Sequence, residues 1–234
     1  MIELAISRSD QVDEATIGRL YAALPELRKV RSDAYYRQID RRTSIVSFAL
    51  LQLLWSEQFA GPMPEIVVGI FGKPAFAGVG VAHFNISHDQ TVCACVLAPV
   101  SVGVDLQSRV PFDEDLFDRI ASQTELRLRD QLVALDDLSP LWTRKEAVVK
   151  RTGRGLTMPF QTIEALSAPG VLTMTCDEPD VRLSLSAAGR TTEDLLADVR
   201  IRFLQPHSGP DEWSSVPAGE LVRPFVGFPS ALAS

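Results

Sequence analysis

Hydrophobic residues recur along this chain with two different periods. Residues 2–6 (IELAI) form a short apolar run of strand character. From 12 to 24, Val12, Ala15, Ile17, Leu20 and Leu24 follow helical spacing until Pro25 stops it. Between Ser44 and Phe59, the positions of Ile45, Phe48, Ala49, Leu51, Leu53, Leu54 and Trp55 predict an amphipathic helix, ended by Gly61-Pro62. Residues 66–71 (IVVGIF) predict a strand running into a Gly72-Lys73-Pro74 turn. Two dense β-type runs, 91–98 (TVCACVLA) and 100–106 (VSVGVDL), flank Pro99 closely enough to predict a hairpin. Helical character returns over 109–140 and again from about Pro140 to Arg151, before a Gly153-Arg154-Gly155 loop. Strands are expected at 171–176, 181–186 and 197–204, and the last thirty residues, with five prolines, predict an irregular tail. Helices and strands are grouped rather than strictly alternating, which predicts an α+β (α/β) fold of two blocks joined near residue 107.

Charge changes this picture locally. The 234 residues carry a net charge of -7 and are 46% hydrophobic, enough for a core that needs no disulfide or metal staple. An acidic balance argues against a general nucleic-acid binder. Residues 28–42 nevertheless hold six Lys/Arg against two Asp, a local charge of +4, whereas 109–140 hold eight acidic residues against four basic ones. Cys93, Cys95 and Cys176 match no zinc spacing and read as buried small hydrophobes in a reducing compartment. The N-terminal MIELAISRSD lacks a basic region followed by an apolar core, so no signal peptide is expected. No apolar stretch approaches a membrane span, and a cytoplasmic protein is expected.

Four short segments carry candidate chemistry. In Trp142–Lys150, the residues Trp142, Glu146 and Lys150 lie at i, i+4 and i+8 on one helix face. Glu146 and Lys150 fit either a surface ion pair, or a metal ligand or base with a phosphate-holding lysine one turn on. The strand Gly103-Val104-Asp105-Leu106-Gln107 sends Asp105 and Gln107 to one side. That arrangement is either a strand end entering a turn or a Mg²⁺ site built on carboxylate oxygen. Asn85-Ile86-Ser87-His88 alternates in the same way, with Asn85 and Ser87 pointing one way and Ile86 and His88 the other. His88 is then a structural hydrogen-bonding residue or a catalytic one. Gly72-Lys73-Pro74 alone reads as a turn, and no phosphate-loop or dinucleotide fingerprint is present.

In order, G-K-P, F-N-I-S-H, G-V-D-L-Q, W-x-x-K-E-A-x-x-K and G-R-G-L resemble the 4'-phosphopantetheinyl transferases over about residues 28–160. The likeness is to the surfactin-synthetase-activating type, in its W-x-x-K-E-A branch. It implies two similar, pseudo-twofold-related subdomains, each a small sheet packed with helices, with the active site in the cleft between them. Residues 1–107 would form the adenine and 3'-phosphate side and 108–205 the metal and carrier side, with 206–234 as an irregular proline-rich tail. It also implies transfer of the phosphopantetheine arm of coenzyme A to a serine of an acyl or peptidyl carrier protein, dependent on Mg²⁺ (or Mn²⁺ in its place), releasing 3',5'-ADP.

Residue by residue, the likeness assigns Asp105 and Glu146 to the metal, with Gln107 as a weaker or water-bridged ligand where many relatives have Glu. It places Arg28, Arg31, Arg42, Thr43, Lys73, Ser87, His88 and Lys150 on coenzyme A. Glu146 becomes the base, with Lys150 and His88 offsetting developing charge. A carrier protein would dock on apolar residues within 109–140 flanked by Arg127, Arg129 and Arg154. A monomer with neither nucleic-acid nor membrane partner is expected. The alternative is a non-catalytic module that binds coenzyme A or a carrier protein, made conceivable by the neutral Gln107.

Overall fold

A computed structural model describes residues 1–78, 80, 82–177, 180–208, 213–216 and 222–225. The N-terminal apolar run becomes β1 (Ile2–Arg8), and α1 (Glu14–Ala22) follows, capped by Asp13 accepting from the Thr16 N–H at 2.8 Å. Next come α2 (Glu26–Asp33), α3 (Gln38–Gln58), the small hairpin β2 (Ile66–Val68) and β3 (Pro74–Phe76), and the strands β4 (His83–Asp89), β5 (Val92–Ala98) and β6 (Val102–Ser108). The remainder is α4 (Glu114–Ile120), α5 (Arg129–Leu135), α6 (Ser139–Thr152), β7 (Val171–Asp177), β8 (Asp180–Ala187), α7 (Thr192–Asp198), β9 (Val199–Pro206), β10 (Trp213–Val216) and β11 (Val222–Pro224). The α+β class read from the sequence is borne out.

A five-stranded sheet has the order β10-β9-β1-β5-β4, and a four-stranded sheet the order β11-β7-β8-β6. Strand periodicity divides the inner strands between two cores. Ile2, Leu4, Ile6, Val92, Ala94 and Val96 pack with Val104, Leu106, Leu183 and Leu185 of the other sheet. On the opposite face, Ala5, Cys93, Cys95 and Leu97 pack under α1 and α3, against Ile17, Ile45, Phe48 and Leu51. Burial on both faces is why TVCACVLA is continuously apolar instead of alternating.

Several expectations are corrected. The runs on either side of Pro99 do not form a hairpin, because β5 pairs with β1 and β4 while β6 pairs with β8. The sheets also ignore a boundary at residue 107. β6 belongs with β7 and β8, and β9 returns to lie parallel to β1, pairing Leu4 with Ile201. The tail is not irregular throughout: β10 pairs with β9, and β11 with β7. Pro224 is tolerated there because β11 is an outermost strand, where a missing N–H breaks no inner ladder. Residues 209–212, 217–221 and 226–234 of that tail lie outside the described residues. Helix α3 starts at Gln38, six residues before the apolar pattern, because its first turns remain partly solvated. Strand β2 stops at Val68, where the Gly69 N–H turns back to the Lys73 carbonyl at 2.9 Å. Among the described residues, no helix is long and apolar enough to cross a membrane.

Candidate active site

Strands β4 and β6 are edges of different sheets, and side chains join them. Asn85 Oδ1 accepts from the Val104 N–H at 2.8 Å, Ser87 Oγ from the Leu106 N–H at 3.4 Å, and Asp89 Oδ2 from the Ser108 N–H at 2.7 Å. Alternate side chains of one strand thus satisfy alternate edge amides of the other, which would otherwise be unpaired. The expected alternation holds, since Asn85 and Ser87 face β6 while Ile86 and His88 face a pocket.

Helix α6 lies directly on β6, and Gly103 permits it. A Cβ at that position would come within 2.1 Å of the Ala147 carbonyl oxygen and 2.3 Å of the Arg151 nitrogen. The helix starts with Pro140 in its first turn and ends at Gly153, whose φ of +72° closes a left-handed cap. Thr143, Arg144, Lys145, Ala147, Val148 and Val149 are buried, which leaves Trp142, Glu146 and Lys150 as its half-open face.

That face meets Asp105. Lys150 Nζ donates to Asp105 Oδ1 at 2.5 Å and to Ser87 Oγ at 3.0 Å, and the Ser87 hydroxyl donates to the same Oδ1 at 2.9 Å. Ser87 therefore uses its full hydrogen-bonding capacity, as donor to Asp105 and acceptor from Lys150 and Leu106. Asp105 Oδ2 is buried and has no hydrogen-bond partner. Burial pushes the Asp105 carboxyl above its ordinary range, and Lys150 opposes the shift. Burial, then the charge of Asp105, pushes the Glu146 carboxyl up as well. An orphaned buried carboxylate oxygen beside a second carboxylate is a donor set that fits a hard cation. Among the described residues no group of three or more His, Cys, Asp or Glu could hold a metal, so bound phosphate or water would have to complete such a shell. Gln107 donates its amide to Asp89 Oδ2 at 3.3 Å.

A pocket of about 620 Å³ opens on the other side of β4, between α2, the start of α3 and the β2–β3 hairpin. Its walls include Phe48, Met63, Ile66 and Phe84, and its polar lining includes Arg28, Arg31, Tyr35 and His88. The Arg28 guanidinium sits 4.6 Å from the centre of the Phe48 ring, and burial with the neighbouring Arg31 charge lowers its pKa to about 10. His88 Nε2 lies 3.5 Å from the Tyr35 hydroxyl. Burial, then the Lys150 charge, lowers the His88 pKa, which favours a neutral imidazole at pH 7.

The structure separates other sequence candidates from this site. Thr43 is fully buried, with its hydroxyl bonded to the Ile39 and Gln90 carbonyls and to Ser9 Oγ, so it anchors the β4–β5 turn. Arg42 pairs with Glu14 and with the carbonyls of Ser9 and Val12. Lys73 Nζ donates to the Val102 and Arg151 carbonyls at 2.9 and 3.0 Å, tying the hairpin to β6 and the end of α6. Of the arginines expected to flank a docking surface, Arg129 is bound to Glu114 and Asp118, while Arg127 and Arg154 are exposed. Sequence reasoning missed Tyr35 and Asp89. Tyr35 lies inside the basic stretch, where charge is the conspicuous signal, and Asp89 continues the alternation of Asn85 and Ser87 by one further step.

Residues 101–194 match the family model described as the 4'-phosphopantetheinyl transferase superfamily. The chain is 27% identical over 143 residues to 4'-phosphopantetheinyl transferase Sfp of Bacillus subtilis, covering 59% of this chain and 63% of that protein. It is 29% identical over 142 residues to 4'-phosphopantetheinyl transferase psf-1 of Bacillus pumilus, covering 58% and 61%. With 4'-phosphopantetheinyl transferase AcpT of Salmonella typhimurium it shares 33% over 127 residues, covering 52% and 66%. The chain therefore spans under two thirds of the length of each of these relatives. The family resemblance read from the motifs is borne out.

Proposed function

With a 4'-phosphopantetheinyl transferase superfamily domain over residues 101–194 as the premise, we propose that this chain moves the phosphopantetheine arm of coenzyme A onto a serine of an acyl or peptidyl carrier protein. The observation that carries the reading is the joined site at the β4–β6 seam. The unpartnered Asp105 Oδ2 and the half-buried Glu146 lie on one side of β4, and a pocket with two arginines and His88 lies on the other.

The adenine and 3'-phosphate end of coenzyme A occupies the pocket, its ring against the apolar walls and its phosphate on Arg28 and Arg31. The pyrophosphate reaches over β4 to Lys150, which leaves Asp105 to meet it. Asp105 and Glu146 would hold a Mg²⁺, or Mn²⁺ in its place. The chemistry such a cation supplies when bound is neutralisation of the pyrophosphate. Glu146, whose pKa is raised by burial and by Asp105, takes the proton of the carrier serine. The serine oxygen bonds to the β-phosphorus while the bond from that phosphorus to the bridging oxygen breaks. The electron pair leaves with 3',5'-ADP, Lys150 offsets the developing charge, and the neutral His88 contributes a hydrogen bond from the pocket side of β4. Residues 1–107 contribute the pocket and Asp105, and 108–205 contribute Glu146 and Lys150, although the sheets do not divide at residue 107. The carrier docks beside α6 with Arg127 and Arg154 at its rim, and the protein works as a cytoplasmic monomer.

The test is the intact mass of an apo carrier protein incubated with this protein, coenzyme A and Mg²⁺. The expected result is a mass gain of one phosphopantetheine arm, lost with Glu146→Ala and with a chelator. Coenzyme A binding without a mass gain on any of several carriers would replace this reading with that of a binding module.

A further inference from the structure

Asp89 takes two donors on one oxygen. Its Oδ2 accepts from the Ser108 N–H at 2.7 Å and from Gln107 Nε2 at 3.3 Å. Two further contacts hold the turn that carries it. The Gln90 φ of +50° forms a two-residue turn between β4 and β5, and Thr43 Oγ1 donates to the Gln90 carbonyl at 2.8 Å. Gln90 Nε2 donates to Ser108 Oγ at 3.2 Å. The end of β6 is therefore fixed from β4, two to three residues beyond Asp105.

We propose that Asp89 is a positioning residue that clamps the end of β6, and that Gln107 is its neutral partner and not a metal ligand. Asp89 brings a negative charge to the contact, so residue 107 must donate to it. Gln donates through its amide, whereas Glu can only accept when ionised and would set two carboxylates against each other. Gln107 thus matches Asp89, and the clamp keeps Asp105 in register with Ser87 and Lys150. The metal side of this inference rests on the function proposed above. The coupling between positions 89 and 107 does not.

The experiment is a double-mutant cycle of Gln107→Glu and Asp89→Asn, read by urea unfolding and by Mn²⁺ binding to the free protein, followed by electron paramagnetic resonance. Gln107→Glu alone should lower the folding equilibrium constant roughly tenfold. In the Asp89→Asn background the same change should cost little, because the Asn amide donates to the carboxylate introduced at position 107 while its oxygen still accepts from Ser108. Additive effects would overturn the proposal. Asp89→Ala, which orphans the Ser108 N–H, should weaken Mn²⁺ binding through a displaced Asp105, and Asp89→Asn should restore it. Equal Mn²⁺ affinity in Asp89→Ala and wild type, with Asp105→Asn weaker than both, would overturn the positioning role. Gln107→Ala should bind Mn²⁺ within about twofold of wild type, while Asp105→Asn loses roughly tenfold or more. A tenfold loss in Gln107→Ala would overturn the proposal by making Gln107 a ligand. If Asp105→Asn leaves Mn²⁺ binding intact, the metal site of the proposed function fails, and non-additivity between 89 and 107 still supports the clamp.

Discussion

Replacing Gly103 with alanine adds a single methyl group where β6 meets α6, and the structure fixes what that methyl would meet. Its carbon would stand 2.1 Å from the Ala147 carbonyl oxygen, 2.3 Å from the Arg151 nitrogen and 2.9 Å from the Lys150 carbonyl carbon. Non-bonded carbon contacts settle at about 3.5–4.0 Å, so helix and strand must separate by about 1 Å or more. All three atoms belong to helix backbone, so no side chain can rotate to make room. Overpacking of this kind typically costs about 1–3 kcal/mol, and rigid neighbours put Gly103→Ala at the upper end. At about 2–4 °C per kcal/mol for a chain of this size, Tm should fall by roughly 6–12 °C. The same displacement lifts Glu146 and Lys150 away from Asp105, and a misplacement near 1 Å can cost roughly 100-fold in rate. Thermal unfolding and carrier-protein mass measurements made on one preparation would give both numbers. A variant with Tm within about 1 °C of wild type and an unchanged transfer rate would show that α6 does not rest on Gly103 as described.

Lys145→Ala should destabilise by about 3–5 kcal/mol in urea, since Lys145 is fully buried with Nζ 2.5 Å from the equally buried Glu125, which would lose its counter-ion. A loss under about 1 kcal/mol would contradict that geometry. Burial and the Arg151 charge lower the Lys73 pKa to about 8, against 10.5 for a free lysine, with His83 as the other ionisable neighbour. The folded state therefore binds fewer protons than the unfolded state between those values, so stability relative to Lys73→Met should rise from pH 8 to 10.5. Urea midpoints whose difference stays flat or falls across that window would reverse the sign. Joint reversal of Arg127 and Arg154 to Glu should raise KM for an acidic carrier protein, leaving kcat unchanged. A changed kcat with an unchanged KM would remove both residues from the docking surface.

Much of the site was legible because its chemistry follows short local periods. The stripe of Trp142, Glu146 and Lys150 needed only helical spacing, and the shared orientation of Asp105 and Gln107 needed only strand alternation. What those periods did not reveal is which strand edges meet. The runs around Pro99 looked like a hairpin because hairpins are the usual outcome of two adjacent strands, yet β5 and β6 enter different sheets. Likewise, the likeness assigned Arg42 and Thr43 to coenzyme A, but Arg42 ties α3 to the carbonyls of Ser9 and Val12, and Thr43 ties it to the β4–β5 turn.

The seam ties two of the motifs together at a fixed offset. Asn85 bonds to Val104, Ser87 to Leu106 and Asp89 to Ser108, always 19 residues apart, which means that β4 and β6 run parallel along their shared edge. A constant offset with a step of two makes N-x-S-x-D on one strand and V-x-L-x-S on the other a single pattern. The side chains of the first supply the acceptors that the amides of the second require. Asp105 falls between two of those rungs, so its carboxylate is directed toward Ser87 and, through Gly103, lies under Lys150. Strand alternation sets Ser87 and His88 on opposite sides of β4, and so links the charged centre to the pocket through adjacent residues. In the function proposed above, the strand is the wall across which coenzyme A reaches, and its sequence determines what lies on each side.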